Sequence, residues 1–216
     1  MIKLENICKC FGKNNFPALK SIDLQVEDGE MLAIMGPSGS GKSTLLNIIG
    51  LIDSPTEGNY YIDGVDTNKL KSKYHKYRNE TIGFVFQNFS LLDDYTVLEN
   101  VMLPLIYRRM PHKMRVEVSK KMLELVGLEA HLNKYPNELS GGEQQRAAIA
   151  RVLAQNPKII LADEPTGALD QENGEKIMNI LKNINNDGKT ILVVTHDMKV
   201  ADYCNKTINL LDGKMI

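Results

Sequence analysis

The stretch MLAIMGPSGSGKSTLLNIIG, residues 31–50, constrains the fold more than any other part of the chain. An apolar run meets a glycine-rich turn and passes at once into a second apolar run with helical spacing. Gly36 to Ser43 fit the pattern G-x-x-x-x-G-K-[ST]. The residue types follow from the chemistry of a polyphosphate. Such a ligand needs many donors in a small concavity, and backbone N–H groups supply them only where no side chain blocks the approach. That accounts for Gly36, Gly39 and Gly41, with Pro37, Ser38 and Ser40 completing the turn. The helix that follows turns its positive end to the anion. Lys42 is placed to reach the β- and γ-phosphates, and the hydroxyl of Ser43, next to Thr44, is placed to coordinate Mg²⁺. Alone, the motif does not separate ATPases from GTPases or small-molecule kinases.

Five short apolar runs read as buried parallel strands: Leu32–Met35, Ile82–Phe86, Ile159–Ala162, Ile191–Val194 and Ile208–Leu211. Helical patterns follow three of them, over Lys42–Ile49, Asn173–Ile184 and Asp197–Tyr203. The alternation predicts an α/β core built on a parallel sheet. Ile22, Leu24 and Val26 alternate with polar residues, and Tyr61-Ile62 runs into the turn pair Asp63-Gly64, so a small antiparallel sheet is expected on one side. From about Asn88 to Asn156 the texture is helical. Thr96 to Glu99 is a capping box, and a helix is expected from Pro111 to about Val126, before Gly127. The division is a nucleotide-binding core over 1–87 and 157–216, with a helical subdomain over 88–156 inserted into one domain. The basic stretch KLKSKYHKYR, Lys69 to Arg78, reads as a solvated face, with an anionic membrane surface as the alternative.

Asp163 and Glu164 end the apolar run KIILADE. Two adjacent carboxylates at the edge of a buried strand are costly unless a positive group sits nearby. Beside a phosphate loop, Mg²⁺–ATP is that group: Asp163 then serves the metal shell and Glu164 orients or deprotonates an attacking water. His196 and Gln87 each follow a predicted core strand, the edge where open α/β sheets carry their ligand groups. A second unusual junction is LSGGEQQR. Ser140 and Glu143 form a capping box around Gly141 and Gly142, at the point where a helix should nucleate. Either the bare N–H groups make a second anion site, or the glycines merely soften a loop-to-helix junction.

Composition narrows the partners. Lys+Arg 26 against Asp+Glu 27 leaves a net charge of -1, which argues against a nucleic-acid binder held by bulk charge. Three cysteines do not suggest a disulfide framework, and Cys8-x-Cys10 without a second ligand pair is a poor metal site. No window approaches the ~18 apolar residues of a membrane span, and the start of the chain lacks the apolar core of a signal peptide. The expectation is a soluble, cytosolic chain whose membrane role, if any, runs through a separate partner.

Taken in order, GPSGSGKST, Gln87, LSGGEQQR, IILADE, ALD and His196 resemble the nucleotide-binding subunits of ABC transporters over nearly the whole chain. IGFVFQNFSLLDDYTVLENVMLPL, PNELSGGEQQRAAIAR and LADEPTGALD are similar to the branch that includes lipoprotein-releasing, macrolide-export and antimicrobial-peptide-export ATPases. A cell-division ATPase that drives peptidoglycan hydrolysis is a close relative of that branch. The resemblance implies a P-loop ATPase fold, ATP and Mg²⁺, and a head-to-tail homodimer driving a separate integral membrane permease subunit from the cytoplasmic face. It implies that Phe11 stacks on adenine, where tyrosine is usual, and that Gly36 to Thr44 cradle the phosphates. Ser43, Gln87 and Asp163 would serve the metal, Glu164 would be the base, and His196 would contact the γ-phosphate. Ser140, Gly141 and Gly142 would bind the γ-phosphate held by the other subunit, and Asp170 would couple the two sites. Competing expectations are a switch on a cell-wall hydrolase activator without transport, a non-transport ABC ATPase, and a small-molecule P-loop kinase.

Overall fold

The computed structural model describes residues 1–12 and 14–216; the side chains at 71 and 72 also lie outside the described residues. The first sheet contains β1 (Ile2–Phe11), β2 (Phe16–Val26), β4 (Glu57–Ile62) and β5 (Val65–Asp66), in the order β2-β1-β4-β5 and antiparallel throughout. The second contains β3 (Met31–Met35), β6 (Ile82–Val85), β7 (Ile159–Asp163), β8 (Thr190–Thr195), β9 (Lys206–Leu211) and β10 (Lys214–Met215). Its order is β10-β9-β3-β8-β7-β6, parallel except for the β9–β10 hairpin. All five apolar runs expected to be strands lie side by side in it. Their continuous apolarity has a simple cause: both faces of this sheet are covered.

One face packs on α1 (Lys42–Ile49), which is held between the two sheets. Leu32, Ile34, Leu161, Leu192 and Val194 meet Leu45, Leu46, Ile48 and Ile49 there, and Ile7, Ile22 and Tyr60 close the core from the antiparallel side. The other face carries Met31, Ile160, Ala162, Ile191 and Val193, packed with α3 (Val97–Tyr107), α4 (His112–Leu125), α5 (Gly141–Gln155) and α6 (Gln171–Asn186). The helices α3, α4 and α5 lie between β6 and β7 in the chain and pack on one another.

The structure differs from expectation mainly at ends. The last short helix, α7, covers only Met198–Ala201. Asp197 caps it, and the Tyr203 N–H closes onto the Val200 carbonyl, a tighter i→i−3 turn, just before β9 begins. Within the basic stretch, a 3₁₀ turn (Thr67–Lys73) leads into α2 (Tyr74–Thr81), a helix the sequence reading did not contain. Lys69, Lys73, His75 and Lys76 are exposed there, while Arg78 donates to the Leu51 carbonyl at 2.7 Å.

The loop after Gln87 is held from behind. Asn100 is fully buried; its amide donates to the carbonyls of Leu92, Tyr95 and Thr96, and its Oδ1 accepts from the Leu92 N–H at 2.8 Å. Arg151 of α5 donates to the carbonyls of Phe89 and Ser90, two residues with positive φ. Asn100→Ala would strand several buried polar groups. It should lower stability by about 2–4 kcal/mol in urea unfolding, with the loop of residues 88–96 losing amide-exchange protection first.

Candidate functional site

The parallel strands end at one rim, and the turns beyond that rim build a cleft of about 1060 Å³. Phe11, Pro37, Ser38, Gly39, Gly41, Lys42, Ser43, Thr44, Gln87, Asp163, Glu164 and His196 all line it. Five separate stretches of sequence thus converge, as the position of the motifs at strand ends requires.

The loop between β3 and α1 admits no side chain at two of its glycines. A Cβ on Gly36 would strike the Leu210 carbonyl, and one on Gly41, at φ 104°, would lie 2.6 Å from the Ala18 carbonyl. Neighbouring backbone from β2 and β9 therefore sets the loop shape. Gly41 opens α1, so the positive end of the helix lies at the cleft. The Lys42 ammonium folds over the loop and donates to the carbonyls of Gly36 and Pro37 at 2.7 and 2.9 Å. Gly36 and Ser40 flank this lining, with Ser40 almost fully buried.

Opposite the loop, Asp163 ends β7. Burial, and then the charge of Glu164, push its carboxyl above the usual value of 3.8; the Ser43 hydroxyl and Lys42 pull the other way. Glu164 has a left-handed backbone, φ 47°, a conformation that costs a non-glycine residue about 1–3 kcal/mol. It is held there by its N–H bonded to the Val194 carbonyl and its carbonyl bonded to the Gly167 N–H. The His196 Nδ1 lies 2.8 Å from Glu164 Oε1, and the imidazole is itself exposed.

These residues fit a hydrated divalent cation. Ser43, Gln87 and Asp163 supply a hydroxyl, a carboxamide and a carboxylate to one cleft, and a cation would relieve the charge crowding that raises Asp163. Among the described residues no three His, Cys, Asp or Glu side chains are grouped to hold a metal unaided. That suits Mg²⁺, which takes few protein ligands and completes its shell with water and phosphate oxygens.

Phe11 is placed at the aromatic edge of the cleft, 44% exposed, with Lys9 Nζ 4.9 Å from its ring centroid. Lys9 is held in turn by Asp53 at 2.6 Å, so the ring has a cation on it before any base arrives. Phe16, its cross-strand partner, lines the same cleft and is 69% exposed. Sequence reading missed Phe16; the signal was an aromatic beside a turn, with no pattern to set it apart.

Ser140, Gly141, Gly142 and Asp170 do not line this cleft. Ser140 is exposed and caps α5; its hydroxyl donates to Glu143 Oε2 at 2.7 Å. Gly142 has an intrachain cause as well: a Cβ there would lie 2.6 Å from Asn173 Oδ1. Asn173 is itself bonded to Asp170, the cap of α6. A further residue escaped the sequence reading. Gln145, fully buried on α5, donates to the Pro165 carbonyl at 2.7 Å and to the Phe86 carbonyl at 3.3 Å. One amide thus ties the residue after Glu164 to the residue before Gln87.

A raised carboxyl has a clear consequence for stability. The ligand-free fold favours protonated Asp163, so its contribution is full below the ordinary value of 3.8 and is lost as pH rises through the folded value. Asp163→Asn should therefore raise the Tm of the nucleotide-free protein at pH 7. The gain should vanish below that ordinary value, as thermal melts across pH would show.

Residues 19–167 match the ABC transporter family. The whole chain is 52% identical to an ABC transporter ATP-binding protein, MJ0796, of Methanocaldococcus jannaschii, and covers 95% of it. It is 43% identical to the macrolide export ATP-binding/permease protein MacB of Vibrio parahaemolyticus, spanning 34% of that longer protein. A dimeric structure of the MJ0796 cassette in a post-hydrolysis state, bound to ADP and Pi, matches with a TM-score of 0.92 at 51% identity, covering 100% of this chain and 96% of that one. With its phosphate loop, acidic strand end and LSGG helix in that fold, the chain belongs to the ABC transporter family and is one of its ATP-binding ATPase cassettes.

Proposed function

We propose that two copies of the chain close head to tail on two ATP molecules and use the closure to drive a separate membrane subunit that exports a peptide, lipoprotein or drug. The observation that carries this reading is the separation of the two anion-seeking helix starts. The N-terminus of α1 opens into the chain's own cleft. The N-terminus of α5, with Ser140, Gly141 and Gly142, does not line it. Two-fold symmetry lets each α5 complete the cleft of the other copy. The dimeric MJ0796 cassette gives a precedent in a protein of nearly the same length.

Within each site, Gly36 to Thr44 receive the phosphates, Phe11 stacks on adenine, and Lys42 leaves the loop carbonyls for the β- and γ-phosphates. Glu164 accepts a proton from the attacking water. The contact between Glu164 and the His196 Nδ1 fixes the carboxylate, and with a proton on each ring nitrogen His196 would donate Nδ1–H to Glu164 and Nε2–H to the γ-phosphate. Mg²⁺, held through Ser43, Gln87 and Asp163, would neutralise charge on the β- and γ-oxygens when bound. Ser140, Gly141 and Gly142 bind the same γ-phosphate from the partner, and Asp170 links the two sites through Asn173, which packs on Gly142. Hydrolysis removes the anion the two chains share, so ATP favours the closed state and ADP the open one.

The segment 88–156 acts as the helical subdomain and 1–87 with 157–216 as the core. Leu92, Tyr95, Ile106 and Tyr107 are exposed on the helical side, with Tyr107 at 84%, while Val97, Val101 and Leu105 are core. That exposed minority suits the cytoplasmic helix of a membrane partner. No helix among the described residues is long and apolar enough to cross a membrane, so the chain would sit on the cytoplasmic face through that partner. MacB, as its name states, combines ATP-binding and permease functions in one protein, and this chain matches a third of it.

Glu164→Gln should retain ATP binding, lose at least 100-fold in turnover by the usual scale of general-base loss, and run as an ATP-dependent dimer in size exclusion. Turnover at the parent rate would remove Glu164 from its role. Ser140→Arg should abolish most hydrolysis while leaving monomer ATP affinity intact; loss of monomer binding would contradict completion of the site by a partner.

A further inference from the structure

At the mouth of α5 one group opposes an anion. Glu143 lies in the first turn, beside the N–H groups proposed to receive a phosphate. Its Oε2 accepts the Ser140 N–H at 2.8 Å and the Ser140 hydroxyl at 2.7 Å. Its Oε1 lies 3.2 Å from the His131 Nε2. Both carboxylate oxygens are therefore engaged, one by the serine and one by the imidazole. The titratable groups that face Glu143 are His131 and, from α5 itself, Arg146.

The imidazole is fixed in place and in tautomer. His131 ends the short turn Glu129–His131 after α4. The chain just beyond it is clamped to the start of α3: the Val97 N–H donates to the Lys134 carbonyl at 2.8 Å and the Leu98 N–H to the Leu132 carbonyl at 3.0 Å. The His131 Nδ1 is buried without a partner. A proton on Nδ1 would be a buried, unsatisfied donor, which costs about 1–3 kcal/mol. The Nε2–H is therefore the donor that Glu143 Oε1 accepts.

We propose that His131 is a positioning residue for the phosphate site at α5, acting through Glu143 on the Ser140 hydroxyl. This rests on the reading that Ser140 meets the partner's γ-phosphate. Without His131, Oε1 is unheld, and Glu143 is drawn toward Arg146 and away from Ser140. Ser140 then loses the contact that keeps its hydroxyl at the helix mouth. With His131 in place, Glu143 is kept at the cap by Nε2–H on Oε1 and by the Ser140 N–H on Oε2, so the single hydroxyl proton of Ser140 can turn from Oε2 to the phosphate. Stabilisation of the Glu143 carboxylate agrees with this: the Ser140 hydroxyl and N–H hold it below the usual range.

The test uses the full chain carrying Glu164→Gln, with ATP-dependent dimerisation followed by analytical ultracentrifugation and monomer ATP affinity measured separately. His131→Ala should weaken dimerisation about five-fold or more, the usual worth of one lost hydrogen bond, with ATP affinity of the monomer and Tm nearly unchanged. His131→Gln, which restores an N–H donor, should recover most of the loss. Unchanged dimerisation in His131→Ala would overturn the proposal. So would failure of glutamine to rescue in a folded protein. A parent that never dimerises with ATP would instead sink the sandwich reading itself, and Ser140→Arg without effect would sink the role of Ser140.

Discussion

The burial of α1 between two sheets is the constraint on which the rest depends. Leu45, Leu46, Ile48 and Ile49 are almost wholly inaccessible, packed by the parallel sheet on one side and the antiparallel sheet on the other. A helix held that way cannot turn, so its N-terminal N–H groups stay directed at the rim of the sheet. The loop before it is moulded by backbone from β2 and β9, which would collide with a side chain at Gly36 or Gly41. The phosphate site is thus built before any ligand arrives. Preorganised donors of this kind spend little free energy on rearrangement when a charged ligand binds.

The acidic side of the cleft has the opposite character. Asp163 and Glu164 are crowded, one with a raised carboxyl and the other on a strained backbone. Neither feature favours the ligand-free fold. Both are accounted for by a site that receives a cation and a polyphosphate. Stability is lost locally where function needs charge, a pattern common at catalytic sites. Gln145 shows how the strained loop is kept in register: a buried amide on α5 holds the segment after Glu164 and the segment before Gln87 together. The same helix carries Ser140 at its N-cap, little more than one turn before Gln145. A shift of α5 therefore moves both halves of the proposed machinery at once.

Much of this was legible in the sequence, for identifiable reasons. The five core strands were visible because a sheet covered on both faces must be apolar without alternation, and α1 matched to the residue because glycine marks its start and its end. The phosphate loop, Gln87, Asp163, Glu164 and His196 were legible because each ends or follows such a strand, whereas Phe11 came only from the family resemblance. What could not be read were contacts between distant segments. Nothing local marks Phe16 as a cleft residue, Gln145 as a bridge, or His131 as the partner of a capping glutamate. The α2 helix was hidden because its residues are charged and none is buried, so no apolar periodicity reports it. Gly142 could be read from its residues either as bare backbone for an anion or as a softened helix junction, and the structure adds a packing cause in Asn173.

The central claim is that one nucleotide is gripped by two chains. It is tested most directly by a distance between differently labelled copies: one chain carries a spin label at exposed position 14, near the aromatic edge of its cleft, the other at exposed position 137, just before α5. A non-hydrolysable ATP analogue should bring the inter-chain label pair from beyond range to a short, narrow distribution, and ADP should release it. Labels that stay apart while the analogue is bound to both chains would contradict the sandwich.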